Sequence, residues 1–161
     1  MVKVVEGNLL DAKEDIIAHQ VNCQGVMDSG VAKAIKQKWP GCYKAYRDTL
    51  KYIREQGLNP LGENHMHHCW SRDLEGVWHE DITICNMMAQ DRYGTDKQYT
   101  DYNALKRCMT ELAEFAHTHK KSVAMPYMVG CGRGGGNWRV VSAMIEECFE
   151  GVDVVLYRLV E

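Results

Sequence analysis

Short apolar runs alternate along the chain with longer stretches of helical periodicity. Residues 2–5 form a β-branched run closed by Gly7, which predicts a first strand. Residues 15–22 carry the apolar run Ile16-Ile17-Ala18 and then Val21, which reads as an interior strand covered on both faces. A small-residue loop follows over 23–29, and a helix is expected from near Gly30. Val31, Ala34, Ile35 and Trp39 give it one apolar face before Pro40-Gly41 interrupts the pattern. Tyr43, Tyr46, Leu50 and Ile53 resume a helical spacing up to Gly57.

Residues 64–71 and 82–89 read as two strands joined by a polar connection. Thr100-Asp101 can cap a helix in which Leu105, Cys108, Met109, Leu112, Phe115 and Ala116 line one side. Residues 122–128 make the next strand, which runs into Gly130-Cys131-Gly132-Arg133-Gly134-Gly135-Gly136. Asn137 can cap a last helix, with Val141, Met144, Ile145, Cys148 and Phe149 toward the core, and residues 153–160 close as a strand. Strands alternating with helices predict an α/β fold: three α/β/α layers with a mixed, largely parallel central sheet.

Composition adds boundaries to this picture. A length of 161 residues suits one domain over 1–161. The net charge of -3 offers no field to draw nucleic acid or an anionic membrane, so neither is an expected partner. Lys33, Lys36 and Lys38 read as a solvated helix face. No apolar stretch reaches about 20 residues and no secretory segment opens the chain, so a cytoplasmic location and no membrane span are expected. The seven cysteines are odd in number and include no C-x-x-C pair, which fits free thiols in a reducing compartment. A monomer is expected.

The candidate chemistry lies in two loops, 22–30 and 130–137, each following a strand and leading into a helix. In an open α/β sheet such loops stand at the carboxyl ends of strands, where ligands bind. Glycine admits a phosphate close to the backbone, and free N–H groups at a helix start favour an anion. Two such loops face to face would suit a diphosphate with a sugar at either end. Neither loop is a G-x-x-x-x-G-K-[ST] phosphate loop or a G-x-G-x-x-G dinucleotide fingerprint.

Several motifs together resemble those of macrodomains. They are Gly7-Asn8-Leu9, Ala18-His19-Gln20-Val21-Asn22-Cys23, Gly30-Val31-Ala32, Met125-Pro126, Gly130-Cys131-Gly132, Asn137-Trp138 and the stretch 141–147. The resemblance covers residues 4–159 and is nearest to the branch holding terminal ADP-ribose protein glycohydrolase and the ADP-ribose-1''-phosphate phosphatases. It implies ADP-ribose or a derivative as ligand, with no cofactor and no metal. Asn8 and Leu9, with Tyr157, would border adenine, although the family usually has aspartate where Asn8 stands. Asn22, Cys23, Gln24, Ser29, Gly30 and Val31 would flank the diphosphate and distal ribose, with Gln90 beside that ribose. Gly130, Cys131, Gly132, Arg133 and Gly134 would wrap the phosphates.

Glycohydrolases of this branch use a lysine and an aspartate at the distal ribose; the matching positions here are Gln90 and Gly134. An amide cannot form the covalent sugar adduct of a lysine, and glycine is neither acid nor base, so that route is disfavoured. Asp28 and His19 are the remaining acid–base candidates. For Asp28 the structural alternative is a cap on the helix near Gly30; for His19 it is a buried strand histidine. Cys23 and Cys131 lie in the binding loops, but no H-C-x₅-R pattern accompanies them. His65, His67, His68 and His79 read as exposed strand histidines rather than metal ligands, and Trp70, Trp78 and Trp138 as packing residues. The expected activity is hydrolysis of ADP-ribose-1''-phosphate or O-acetyl-ADP-ribose. A non-catalytic reader of ADP-ribose and a lysine-independent de-ADP-ribosylase are the alternatives.

Overall fold

The computed structural model describes residues 1–160. Six strands run β1 (Val2–Glu6), β2 (Ile16–Asn22), β3 (Asn64–Arg72), β4 (Trp78–Gln90), β5 (Val123–Pro126) and β6 (Val154–Arg158). Four helices accompany them among the described residues: α1 (Gly30–Lys38), α2 (Pro40–Glu55), α3 (Tyr102–His119) and α4 (Trp138–Cys148). The sheet order is β1-β6-β5-β2-β4-β3, parallel throughout except for the β3–β4 hairpin.

Side chains alternate across a strand, and β2 shows what that alternation buries. Ile16 and Ala18 pack on the α3–α4 side with Leu105, Met109, Leu112, Val141 and Ile145. Ile17 packs on the other side with Ile35, Trp39 and Cys42 of the α1–α2 layer. Cores on both faces make the three layers, and they explain why consecutive residues Ile16, Ile17 and Ala18 of β2 are all apolar.

Local signals hold the helices in place. The Asp101 side chain accepts from Ala104 N at 3.0 Å to cap α3, and Asn137 accepts from Arg139 N at 2.9 Å to cap α4. The predicted interruption at Pro40 separates α1 from α2, and Pro40 itself opens α2, because a first-turn residue needs no N–H donor. A 3-10 turn at Leu9–Asp11 has no counterpart in the sequence pattern.

Three further expectations are corrected. β4 starts at Trp78, four residues before the predicted 82, and Trp78 and Trp70 stand exposed on the β3–β4 hairpin rather than packed. Phe115 lies at the exposed edge of α3, against the His119 ring at 4.4 Å. β5 ends at Pro126, because the chain leaves the sheet and Met128 turns to φ 63°.

β2 and β5 are neighbours, yet β2 leads into α1 on one face of the sheet and β5 toward α4 on the other. Connections that part in this way open a crevice at the carboxyl ends of the strands. No helix among the described residues is long and apolar enough to cross a membrane.

Candidate functional site

The crevice is a cleft of about 640 Å³. Of the residues singled out in the sequence, Asn22, Asp28, Ser29, Gly30, Val31, Gln90, Gly130, Gly132, Arg133 and Gly134 line it.

One wall is the start of α1. Ser29 is the N-cap residue but makes no side-chain cap bond. Among the described residues, the N–H groups of Gly30, Val31 and Ala32 therefore meet no protein acceptor. The loop leading to them is tied down by Asn22, whose Oδ1 accepts from Gln24 N at 2.9 Å and whose Nδ2 donates to Val26 O at 2.9 Å. From α2, the Tyr46 hydroxyl donates to Asn22 O at 2.5 Å and accepts from Gly25 N at 3.2 Å. Burial raises the Tyr46 phenol pKa, so the donor stays protonated. Asn22 thus organises the loop, and Tyr46, whose spacing marks only a core position, is its anchor.

The opposite wall is the glycine loop. Gly130 O accepts from Gly136 N at 2.9 Å, Gly132 O from Gly135 N at 3.1 Å, and Gly134 O from Tyr99 N at 2.8 Å. The N–H groups of Gly130, Gly132, Arg133 and Gly134 donate to no acceptor among the described residues. A run of peptides with engaged carbonyls and free amides is an anion-binding concavity. The glycines differ in why they are glycine. A side chain at Gly134 would strike the Thr100 hydroxyl and approach Gly130 O to 2.7 Å, whereas at Gly132 it would meet nothing within 4 Å. Packing therefore leaves no room for an acid at position 134.

Between the walls, the Gln90 amide is engaged at both its oxygen and its nitrogen. Its Oε1 accepts from Gln20 Nε2 at 2.7 Å and its Nε2 donates to Arg92 O at 2.9 Å. Gln20 also lines the cleft and escaped the sequence reading. The available signal was its place two residues beyond Ala18, on the same face of β2, where the apolar alternation ends in an amide.

Asp28 is the one carboxylate in the lining among the described residues. It does not cap α1. Its Oδ1 instead pairs with Lys36 Nζ at 3.1 Å, and that ammonium also lies 4.2 Å from the centre of the Tyr43 ring.

The remaining sequence candidates lie elsewhere. His19 is corrected: it is 1% exposed, on the α1–α2 side of the sheet, with Nε2 2.5 Å from Asn86 Oδ1. Burial pulls its imidazole pKa down to about 4, so it is neutral and out of reach of a ligand in the cleft. Cys23 is fully buried, and burial together with Asp91 pushes its thiol up to about 11, which removes it as a nucleophile. Burial also raises the Cys131 thiol, whose side chain packs against the α3–α4 core rather than lining the cleft. Gln24 turns to the far side of its loop, where Nε2 donates to Asp91 O at 3.1 Å.

Asn8, Leu9 and Tyr157 stand at the same end of the sheet but outside the cleft wall. Asn8 accepts from Leu10 N at 3.0 Å, Leu9 is buried, and the Tyr157 hydroxyl donates to Glu14 Oε1 at 2.6 Å. His65 and His67 share a face with ring centres 6.1 Å apart, while His68 and His79 pair with Glu80 and Asp73. No group of three or more His, Cys, Asp or Glu among the described residues is placed to hold a metal ion.

Comparison with known proteins agrees with this geometry. The family model described as Macro domain matches residues 18–145. A protein of Thermus aquaticus named DNA ADP-ribosyl glycohydrolase is 30% identical over 100% of this chain, which spans only 42% of that relative. A protein of Meyerozyma guilliermondii named ADP-ribose 1''-phosphate phosphatase is 27% identical over 71% of this chain and 71% of its own length. The solved macrodomain of Thermus aquaticus DarG superposes with a TM-score of 0.72 at 26% identity, covering 100% of this chain and 98% of that one. With its family motifs, its sheet order and its cleft at the β2–β5 divergence all in agreement, the chain belongs to the Macro domain family.

Proposed function

We propose that the cleft binds ADP-ribose and that the protein hydrolyses a small ester of it, such as ADP-ribose-1''-phosphate or O-acetyl-ADP-ribose. One observation carries the reading: two sets of unpaired N–H groups, at the start of α1 and in the 130–134 loop, line one cleft. The diphosphate lies between them, with Arg133 adding positive charge. The volume suits a nucleotide-sized ligand, within the range of roughly 300–1,000 Å³ usual for such sites.

The distal ribose extends toward Gln90 and the loop carrying Asp28. Because Gln90 is an engaged amide and position 134 excludes a side chain, no covalent sugar adduct forms. Asp28 takes a proton from water, the water oxygen attacks the phosphorus or acyl carbon, and the bond from that centre to the ribose oxygen breaks. The proton then passes to the departing ribose oxygen. The relative named as a phosphatase supports this assignment.

A non-catalytic reader of ADP-ribose is the second reading, favoured by the Gln90 amide held at both ends and by the lack of a second carboxylate in the lining among the described residues. A lysine-independent removal of ADP-ribose from a macromolecule is the third, in view of the relative named as a glycohydrolase. Calorimetric titration with ADP-ribose, followed by phosphate release from ADP-ribose-1''-phosphate, separates them. Binding with release supports the phosphatase, and binding without it supports the reader or another ester. No binding overturns the ligand assignment.

A further inference from the structure

We infer that Thr100 and Gln20 are positioning residues that make the glycine loop an anion acceptor; this rests on the diphosphate reading above. A glycine-rich loop has no preferred polarity of its own. Each of its peptides carries a donor and an acceptor, and a carbonyl aimed at a phosphate repels it as an N–H attracts it. Something must hold the carbonyls away from the ligand.

Thr100 does this from outside the loop. It is 3% exposed and lies just before the α3 cap, bridged to Gln90 at the end of β4. Its N–H donates to Gly134 O at 2.9 Å, and its hydroxyl donates to Gly130 O at 2.7 Å. One residue thereby captures the carbonyls at both ends of the 130–134 segment, whose free N–H groups remain.

Gln20 sets the direction of that hydroxyl. Its Nε2 donates to Thr100 Oγ1 at 2.8 Å, so the threonine proton is left for Gly130 O. The same Nε2 donates to Gln90 Oε1, which joins the distal-ribose end of the cleft to the phosphate loop. Gln20 Oε1, by contrast, is buried without a partner and faces Gly130, where an added Cβ would stand 2.9 Å from it. An orphaned buried acceptor works against stability. Gln20 is therefore placed for what its nitrogen holds.

The test is calorimetry with ADP-ribose and with ADP on the wild type, Thr100→Val, Thr100→Ser, Gln20→Met and the Thr100→Val/Gln20→Met double variant. Melting temperatures are recorded alongside. Thr100→Val keeps the shape and removes the hydroxyl, so affinity should fall about tenfold for both ligands, while Thr100→Ser should stay within about threefold of wild type. Gln20→Met should weaken binding in the same direction. The double variant should be no weaker than Thr100→Val by more than about twofold, because both changes act through one hydroxyl. Should Thr100→Val fail to fold, Gln20→Met and Thr100→Ser still decide the matter.

Unchanged affinity in folded Thr100→Val and Gln20→Met would overturn the inference, and so would fully additive losses. A wild type that binds ADP with this sensitivity but not ADP-ribose would overturn the proposed ligand and leave the positioning role intact. Binding of neither would overturn both.

Discussion

The carboxylate of Asp28 and the ammonium of Lys36 stand 3.1 Å apart at the mouth of the cleft, eight residues apart in the chain. Asp28 is largely exposed and Lys36 half-buried, so solvent screens the pair and it contributes at most about 1 kcal/mol to stability. Its value lies in orientation: it fixes the carboxylate of Asp28 in the lining. Asp28→Ala should therefore lower hydrolysis by about 10²–10⁴-fold, the usual worth of a general base, with ADP-ribose affinity kept within a few-fold. Steady-state phosphate release and calorimetry on one preparation check this. Wild-type turnover in the variant would reduce Asp28 to an ion-pair partner.

Gly132 and Gly134 should respond differently to substitution. A leucine at 132 projects into open space, so Gly132→Leu should remove detectable ADP-ribose binding while the melting temperature stays close to wild type. Gly134→Ala drives its methyl against the Thr100 hydroxyl and Gly130 O, and should destabilise by about 1–3 kcal/mol. Thermal melts and titrations of the two variants separate blocked binding from damaged packing. Tight binding by Gly132→Leu would remove the diphosphate from the loop.

Acid should weaken the fold through one buried and one half-buried histidine. His19 and His65 are both pulled down to about 4 by burial, while their unfolded forms titrate near 6.5. Between those values the unfolded chain binds more protons than the folded one, so stability falls as pH drops through that window. Above about 6.5 these two groups contribute no pH dependence. The loss owed to His19 is on the order of 2–3 kcal/mol by pH 4. Denaturant melts from pH 7.5 to 4 should show a shallower decline in His19→Gln than in the wild type.

The loop cysteines should be chemically quiet. With the Cys23 thiol at about 11 and buried, iodoacetamide at neutral pH should leave it unmodified in the folded protein. Cys131→Ser should keep phosphate release within about twofold, since its thiol is raised and lies outside the cleft lining. Mass spectrometry of labelled peptides and a turnover assay check the two statements. Rapid alkylation of Cys23 coupled to lost activity would reopen the nucleophile reading.

Much of the fold was readable in the order of residues because its signals are local. The apolar run in 15–22, the periodic face of α3 and the caps Asp101 and Asn137 each depend on neighbours within a few positions. So do the two loops, each standing between a strand and a helix, and they duly line one cleft. Pro40 is a local signal of the same kind: it parts α1 from α2 where the pattern breaks. The same residue ends one helical pattern and serves as the first-turn residue of the next.

The roles inside the cleft were not legible, because they depend on which distant segments meet. His19 and Gln20 are adjacent polar residues on one strand. Alternation sends the first into the α1–α2 core and the second to the cleft, and a sheet covered on both faces gives no hint of which is which. Gln20 meets Gln90 across 70 residues and Thr100 meets Gly130 across 30. The chain's own order thus dictates the strands, helices, caps and glycine loops, all of them short-range consequences of backbone and side-chain geometry. The pairing of β2 with β4 and β5 then decides which side chains become ligand wall, which become buried support, and why Gly134 has no room for an acid.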